Sequence, residues 1–240
     1  MSHALILCYH AASVRWPHIL SLSPERIDSQ MRQLLASRHR PVDAREALTR
    51  RSRTFHVTFD DAFASIEHVL PRLQRLGVPV TVFVCSDYAD TGHPLDVPEL
   101  VGEAERYPEE LRTLTWDELA GLAERGVEIG AHTKSHPHLR ELGDAEVRVE
   151  LSESRERIEE RLGRPCRLVA YPYGEGDSRI FAAAREAGYE GGFMLSDGDP
   201  ANRFAFPRIG VYPRDNPARF MLKANGVVRS LIARRAAPSS

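Results

Sequence analysis

The sequence predicts an α/β protein built as one domain, a parallel sheet closed into a barrel with helices outside it. Three observations carry that expectation. Apolar runs of strand length alternate about seven times with stretches of helical periodicity, which calls for crossover connections and therefore parallel strands. No G-x-G-x-x-G or other phosphate-binding glycine loop follows any of these runs, which weakens the case for an open nucleotide-binding sheet. The length, 240 residues, falls in the range of about 200–250 in which barrels form a single unit.

In chain order the strand-like runs are ALILCY (4–9), FHVTF (55–59), VTVFVC (80–85), VEIGA (127–131), RLVAY (167–171), GGFML (191–195) and FPRIGVY (206–212). The connections carry helix punctuation. Ser23 before Pro24 reads as an N-cap followed by a first-turn proline, and Thr115-x-x-Glu118 is a capping box. Gly77, Gly126 and Gly188 each stand where a helix-like segment ends, the place that favours a left-handed backbone. The stretch 87–113 is rich in proline and acids and longer than an ordinary connection. An inserted loop or short helix that shapes a cleft at the barrel mouth is expected there.

Residues 1–215 are expected to form the barrel and 216–240 a basic amphipathic helix with a disordered tail. From 216 onward Arg219, Lys223, Arg229, Arg234 and Arg235 interleave with Phe220, Leu222, Val227, Val228, Leu231 and Ile232, and no acid occurs. Such a segment suits either packing on the barrel or peripheral contact with an anionic membrane through residues 218–235.

With 32 Lys and Arg against 34 Asp and Glu, no nucleic-acid partner is expected. No run of about 18 apolar residues is present, so no spanning helix is expected either. The N-terminus lacks a cationic region leading into a signal-peptide core and cleavage site, so the chain is expected to begin as it does in the mature protein. Cys8, Cys85 and Cys166 are odd in number and widely spaced, which suits neither a disulfide framework nor a Cys-based zinc site. A cytoplasmic location is expected, at the inner face of the membrane if the C-terminal segment binds it.

Polar residues capable of metal chemistry gather just beyond the C-terminal ends of the strand-like runs, where barrel active sites are built. VTFDD ends in Asp60 and Asp61, IGAHTKSH in His132 and His136, LVAYPYG in Tyr171 to Gly174, and LILCYH in His10. Two imidazoles and a carboxylate suit a catalytic divalent metal that keeps positions open for water and substrate. Of two consecutive carboxylates, one can bind metal while the other takes a proton. Taken singly, the Asp pair also suits a helix N-cap and the His pair a polar surface turn. Cys8 and Cys85 read as core thiols, His56 as strand interior and Asp177 as a helix cap.

TFDD, HTKSHPHL and AYPYG, in that order and spacing, resemble the first three motifs of the NodB-homology polysaccharide deacetylases, carbohydrate esterase family four. The resemblance runs from about residue 5 to 212. It implies a distorted (β/α)7 barrel that hydrolyses the N-acyl group, usually acetyl, of an amino sugar, with a glycan or glycan precursor as partner. It further implies that Asp61, His132 and His136 hold one divalent ion, zinc first and cobalt, nickel or iron as alternatives. Asp60 would be the general base, Tyr173 would offer a backbone N–H to the oxyanion, Leu139 would line the acyl pocket and Pro172 would contact the substrate.

Two features of the family pattern are missing. Ala170 and Tyr171 stand where many members have an arginine before Pro-Tyr, and no histidine follows His138 to serve as general acid. The branch that resembles poly-N-acetylglucosamine deacetylases opens on Tyr-His instead. His10 is therefore the expected acid and Arg208, in the last strand-like run, the expected substitute for the arginine. Trp16, just after the His10 run, suits either a cleft wall or core packing. A deformylase or other C–N amidohydrolase of the same fold, and a non-catalytic glycan-binding barrel, are the rival readings.

Overall fold

The computed structural model describes residues 3–49, 53–195 and 198–225. The elements in chain order are β1 (Leu5–Tyr9), α1 (Pro24–Ala36), β2 (Arg40–Pro41), α2 (Ala44–Ala47), β3 (Thr54–Phe59), α3 (Leu70–Arg75), β4 (Val80–Val84), α4 (Val101–Arg106) and α5 (Pro108–Leu111). They continue with α6 (Trp116–Glu124), β5 (Glu128–Ala131), α7 (Asp144–Leu162), β6 (Leu168–Ala170), α8 (Ser178–Glu186), β7 (Gly191–Leu195), β8 (Phe206–Gly210) and α9 (Pro217–Ala224).

Every pairing between these strands is parallel, in the order β1-β8-β7-β6-β5-β4-β3, and β3 returns to β1. Seven strands thus close a barrel, as the resemblance implies. The two closing seams differ. β1 and β3 run together from Leu5 opposite Phe55 to Tyr9 opposite Phe59, whereas β1 meets β8 only at Leu7–Ile209 and Cys8–Gly210. The short β2 was not foreseen. It pairs with Thr54 and Phe55, below the point at which β4 joins β3 at Val57. Two residues with a proline carry too little alternation to read as a strand.

Period-two alternation sorts the strand residues into two cores. Leu5, Leu7, Tyr9, Phe55, Val57 and Phe59 face outward into the main core beneath the helices. Ala4, Ile6, Phe83, Leu168, Ala170, Phe193 and Phe206 fill the barrel interior, where Phe83 and Phe193 meet edge to face at 5.7 Å. The interior is tight at β5. A Cβ on Gly130 would lie 2.9 Å from the Leu168 carbonyl and against the Phe83 ring.

The helix punctuation is where the sequence puts it. Ser23 accepts the Arg26 N–H with Pro24 opening α1, and Thr115 and Glu118 complete a capping box on α6. Asp177 caps α8 by accepting from Ile180 N. Each such cap contributes about 1 kcal/mol. α7 buries Val147, Leu151, Ser154 and Ile158, one face at spacings of three and four. The 87–113 stretch becomes a short 3-10 turn (Tyr88–Asp90) followed by α4 and α5. Its Leu95, Val97, Leu100 and Ala104 form a separate apolar cluster with Trp16 and Phe63. Phe220 and Ala224 of α9 lie in the main core. Arg229, Arg234 and Arg235, with the rest of the basic segment after residue 225, lie outside the described residues. Among the described residues no helix is long and apolar enough to cross a membrane.

Candidate active site

The strand register delivers the polar residues to one end of the barrel. Cys8 and His10 follow Ile6 on the inward face of β1 and its extension, and Thr58 and Asp60 follow His56 on β3 and just past its end. His132 stands just past β5, and Arg208 lies on β8. A pocket of about 300 Å³ opens over them, lined by His10, Asp60, Asp61, His132, His136 and Tyr173. Its upper wall comes from loops, with His18, Ile19 and Leu20 after β1, Leu95 to Leu100 from the insertion, and Leu195 and Tyr212 beyond β7 and β8.

Asp61, His132 and His136 converge. Nε2 of each histidine lies 3.4 Å from the same Asp61 oxygen, Oδ1, and all three side chains are buried. Oδ1 accepts no hydrogen bond and is sealed from solvent. His132 donates from Nδ1 to the Ala170 carbonyl at 2.7 Å, because a carbonyl can only accept. Its Nε2 lone pair is thereby turned inward, and burial holds its pKa down to about 4, in the neutral form that binds metal. An edge of 3.4 Å is also the separation of two ligands at about 2.1 Å from one tetrahedral ion. This donor set fits a divalent cation. Burial raises the Asp61 carboxyl, but the adjacent His136, helped by His10 and His132, brings it below its ordinary value.

Asp60 is held apart from that cluster. Arg208 grips it with a two-pronged fork, Nη1 to Oδ1 at 2.6 Å and Nη2 to Oδ2 at 2.7 Å, and neither partner reaches solvent to any extent. Nη1 also donates to Thr58 Oγ1 at 3.0 Å, and the Thr58 hydroxyl donates on to the Leu7 carbonyl. The guanidinium lies over Phe83 and Phe193, 5.4 and 5.9 Å from their centroids. Burial works to raise the Asp60 carboxyl, yet Arg208 and then His132 overcome it and hold the group well below the usual carboxylate range. Asp60 is therefore ionised at neutral pH. The Cys8 thiol donates to its Oδ2 at 3.3 Å, and a His10 ring nitrogen lies within 4.8 Å of both groups.

Backbone strain marks the same place. Non-glycine residues with positive φ include Asp61 (65°), Ala62 (50°), Thr133 (67°), His136 (64°) and Tyr173 (59°), and only Arg38 and Arg53 among the described residues lie elsewhere. Left-handed backbone costs of order 1–3 kcal/mol per residue and persists where function holds it. At Tyr173 the turn's hydrogen bonds run from Gly174 N to Tyr171 O and from Glu175 N to Pro172 O, so the Tyr173 N–H belongs to neither. The Tyr173 ring stacks on His138 at 3.6 Å, and its hydroxyl donates to Glu99 of the insertion at 2.8 Å.

The expected residues are not all at the pocket. His10, Asp60, Asp61, His132, His136 and Tyr173 line it. Arg208 is not part of the pocket wall and is hydrogen-bonded to Asp60. Leu139 and Pro172 are buried and form no part of the wall. Trp16 is 1% exposed, packs against Phe63 at 5.7 Å and donates from Nε1 to Glu103 Oε2 at 2.7 Å. It braces the insertion from behind rather than facing the catalytic pocket. The sequence reading missed Cys8 and Thr58 as partners of the site. Alternation held the signal for both, since each stands two residues before a site residue on the same strand face. No pattern marks His18, Ile19 or Glu99, which reach the pocket from loops.

A parallel seven-strand barrel with a buried His2Asp cluster beside a separately clamped carboxylate defines a hydrolase-type barrel with its site at the strand C-termini. The polysaccharide deacetylase family model matches residues 47–192, and the chain belongs to that family. It is 22% identical over 219 residues to YxkH of Bacillus subtilis, designated a polysaccharide deacetylase, covering 87% of this chain and 71% of that protein. Deacetylase PplD of Streptococcus pyogenes shares the fold at a TM-score of 0.77 and 19% identity, over 92% of this chain and 98% of that one. IcaB of Ammonifex degensii does so at 0.75 and 19%, over 94% and 98%.

Proposed function

We propose that this chain is a metal-dependent hydrolase that removes an N-acyl group, acetyl first, from an amino sugar in a glycan or glycan precursor. The observation that carries the reading is the pairing in one pocket of a buried, convergent His2Asp cluster with an ionised carboxylate held by its own arginine. PplD, whose fold this chain shares, is described in complex with acetate. Asp61, His132 and His136 would hold the ion, with zinc first. A divalent ion there supplies Lewis acidity to an amide carbonyl and makes water a better proton donor.

The protein's own groups supply the rest. Asp60, fixed by Arg208, takes the proton of the water that attacks the carbonyl carbon. The Tyr173 N–H stabilises charge as it develops on the carbonyl oxygen, a contribution that in comparable sites reaches about 3 kcal/mol. His10 protonates the sugar nitrogen as the C–N bond breaks, so acetate and a free amine leave. The walls formed by Ile19, Leu95, Val97 and Leu100 keep bulk water from the reacting amide.

The test is acetate release from N-acetylglucosamine oligomers by protein stripped of metal and resupplied with zinc or cobalt. Asp60→Asn is expected to keep its metal content, read by elemental analysis, and lose at least 100-fold in kcat, the scale of a missing general base. Turnover by the metal-free protein, or by Asp60→Asn at the wild-type rate, would overturn the assignment.

A further inference from the structure

The loop after β1 has two sides. Its His18 and Ile19 wall the catalytic pocket, and they also border a second hollow of about 630 Å³, lined further by Val14, Pro17, Arg26 and Arg214. This second hollow is also lined by Pro213 and Arg214, which directly follow Tyr212 of the catalytic pocket. The two spaces are therefore neighbours across a single ridge of side chains.

The charge in the second hollow is one-sided. No carboxylate lines it. The acids of the elements around it are engaged elsewhere: Glu25 with Arg72, Glu103 with the Trp16 indole, Glu110 with Arg15, and Asp215 with Arg219 and Lys223. Arg26 and Arg214 have no ion pair among the described residues, in a chain whose acids outnumber its Lys and Arg by 34 to 32. Arg26 is held in place by a neutral group, donating from Nη2 to the Asp215 carbonyl at 2.6 Å, so its position is fixed while its charge stays uncompensated. The Arg214 guanidinium lies 5.4 Å from the Tyr212 ring centroid. The rest of the lining mixes Ser13, Ser21, Ser23 and His18 with apolar side chains, of which Val14 is 74% and Ile19 48% exposed. Two guanidinium groups without ion-pair partners in a carboxylate-free hollow form the recognition chemistry of a phosphoryl group, and exposed aliphatic side chains beside them suit an apolar or planar attachment.

We propose that this hollow is an anion subsite, and that the substrate is an N-acylated amino sugar carrying a phosphoryl group. The sugar lies in the catalytic pocket and its phosphate crosses the His18–Ile19 ridge to Arg26 and Arg214. The proposal rests on the deacetylase reading for the sugar, but not for the anion. A nucleotide sugar and a prenyl-linked sugar share this chemistry, and the wall serves either a base or an isoprenoid chain.

The experiment has a binding arm and a turnover arm, both on the zinc-loaded full chain. Inorganic pyrophosphate is titrated calorimetrically into the wild type, Arg214→Ala and Arg26→Gln. Binding is expected to weaken about tenfold or more in each variant, as loss of a charge-assisted hydrogen bond entails. Arg214 is exposed, so its variant keeps the test free of folding defects. Pyrophosphate binding that neither variant weakens belongs to the metal cluster and overturns the proposal, as does no binding at all. In the turnover arm, acetate release is compared for UDP-N-acetylglucosamine, a prenyl-diphosphate N-acetylglucosamine in micelles and a neutral chitotetraose. Higher kcat/KM for either phosphorylated substrate, lowered relative to chitotetraose by Arg214→Ala, supports the subsite and tells the two sources apart. Preference for chitotetraose overturns it. Acetate from none of the three counts against the deacetylase reading instead, and the titration alone then decides the anion site.

Discussion

Arg208 and Asp60 are 148 positions apart, and their contact fixes the ionisation of the site. An arginine with 0% exposure is tolerated because its charge is met by a two-pronged carboxylate and its face by two phenyl rings. Arg208→Ala is expected to leave Asp60 buried and unpaired, at a cost of about 3–5 kcal/mol in urea unfolding. Arg208→Lys keeps the charge but not the fork, and should recover part of that stability while leaving kcat reduced. Equal midpoints for Arg208→Ala and wild type would show that the fork is not holding Asp60. The metal-capable residues were legible because three of them lie within five positions or in an adjacent pair after a strand. The placement of Arg208 was inferred from a gap in a motif, and its geometry was not visible. The Cys8 thiol was read as core, and it is core, yet its alternation with His10 also turns it towards Asp60.

At the scale of elements, all seven barrel strands could be read within about two residues, because a parallel buried strand is a continuous apolar run with turn signals at both ends. β2 escaped because it is only two residues long, and the insertion hid α4 and α5 behind an uncapped, acid-rich composition. The turn after β6 shows how an element end becomes chemistry. Tyr173 adopts φ 59° and Gly174 φ 68°, and the turn's own hydrogen bonds leave the Tyr173 N–H out. A Cβ on Gly174 would overlap the Leu195 side chain. Gly174→Ala should destabilise by more than about 1 kcal/mol, since alanine resists that backbone region. It should also lower kcat by moving the Tyr173 N–H. Full activity in this variant, measured as acetate release, would remove the turn from the oxyanion role.

Across the whole molecule, the barrel is polar at both ends and aromatic between them. The sequence showed the mouth but not the base, where His56 was assigned no role because single strand-interior histidines carry no pattern. In the structure its Nδ1 meets the Val42 carbonyl at 2.8 Å and its Nε2 the Thr81 hydroxyl at 2.9 Å, and Thr81 donates on to Glu128. Burial lowers the His56 pKa to about 4, against an ordinary value of 6.5. In the folded state it is therefore neutral over a range in which the unfolded chain takes up a proton. Stability from this group is complete above about pH 6.5, falls as the pH drops, and levels off below about pH 4, a loss on the order of 3 kcal/mol. Glu128 acts with the opposite sign, because burial raises its carboxyl and the folded state binds that proton more readily. His132 adds a second acid-sensitive imidazole at the mouth. Comparing wild type with His56→Gln cancels the contributions of Glu128 and His132 that the two proteins share, since glutamine does not titrate and can still donate to the Val42 carbonyl. Urea midpoints at pH 7 and pH 4.5 should lie further apart in the wild type than in the variant. If the two proteins lose the same stability between those pH values, His56 is not what makes the base of the barrel sensitive to acid.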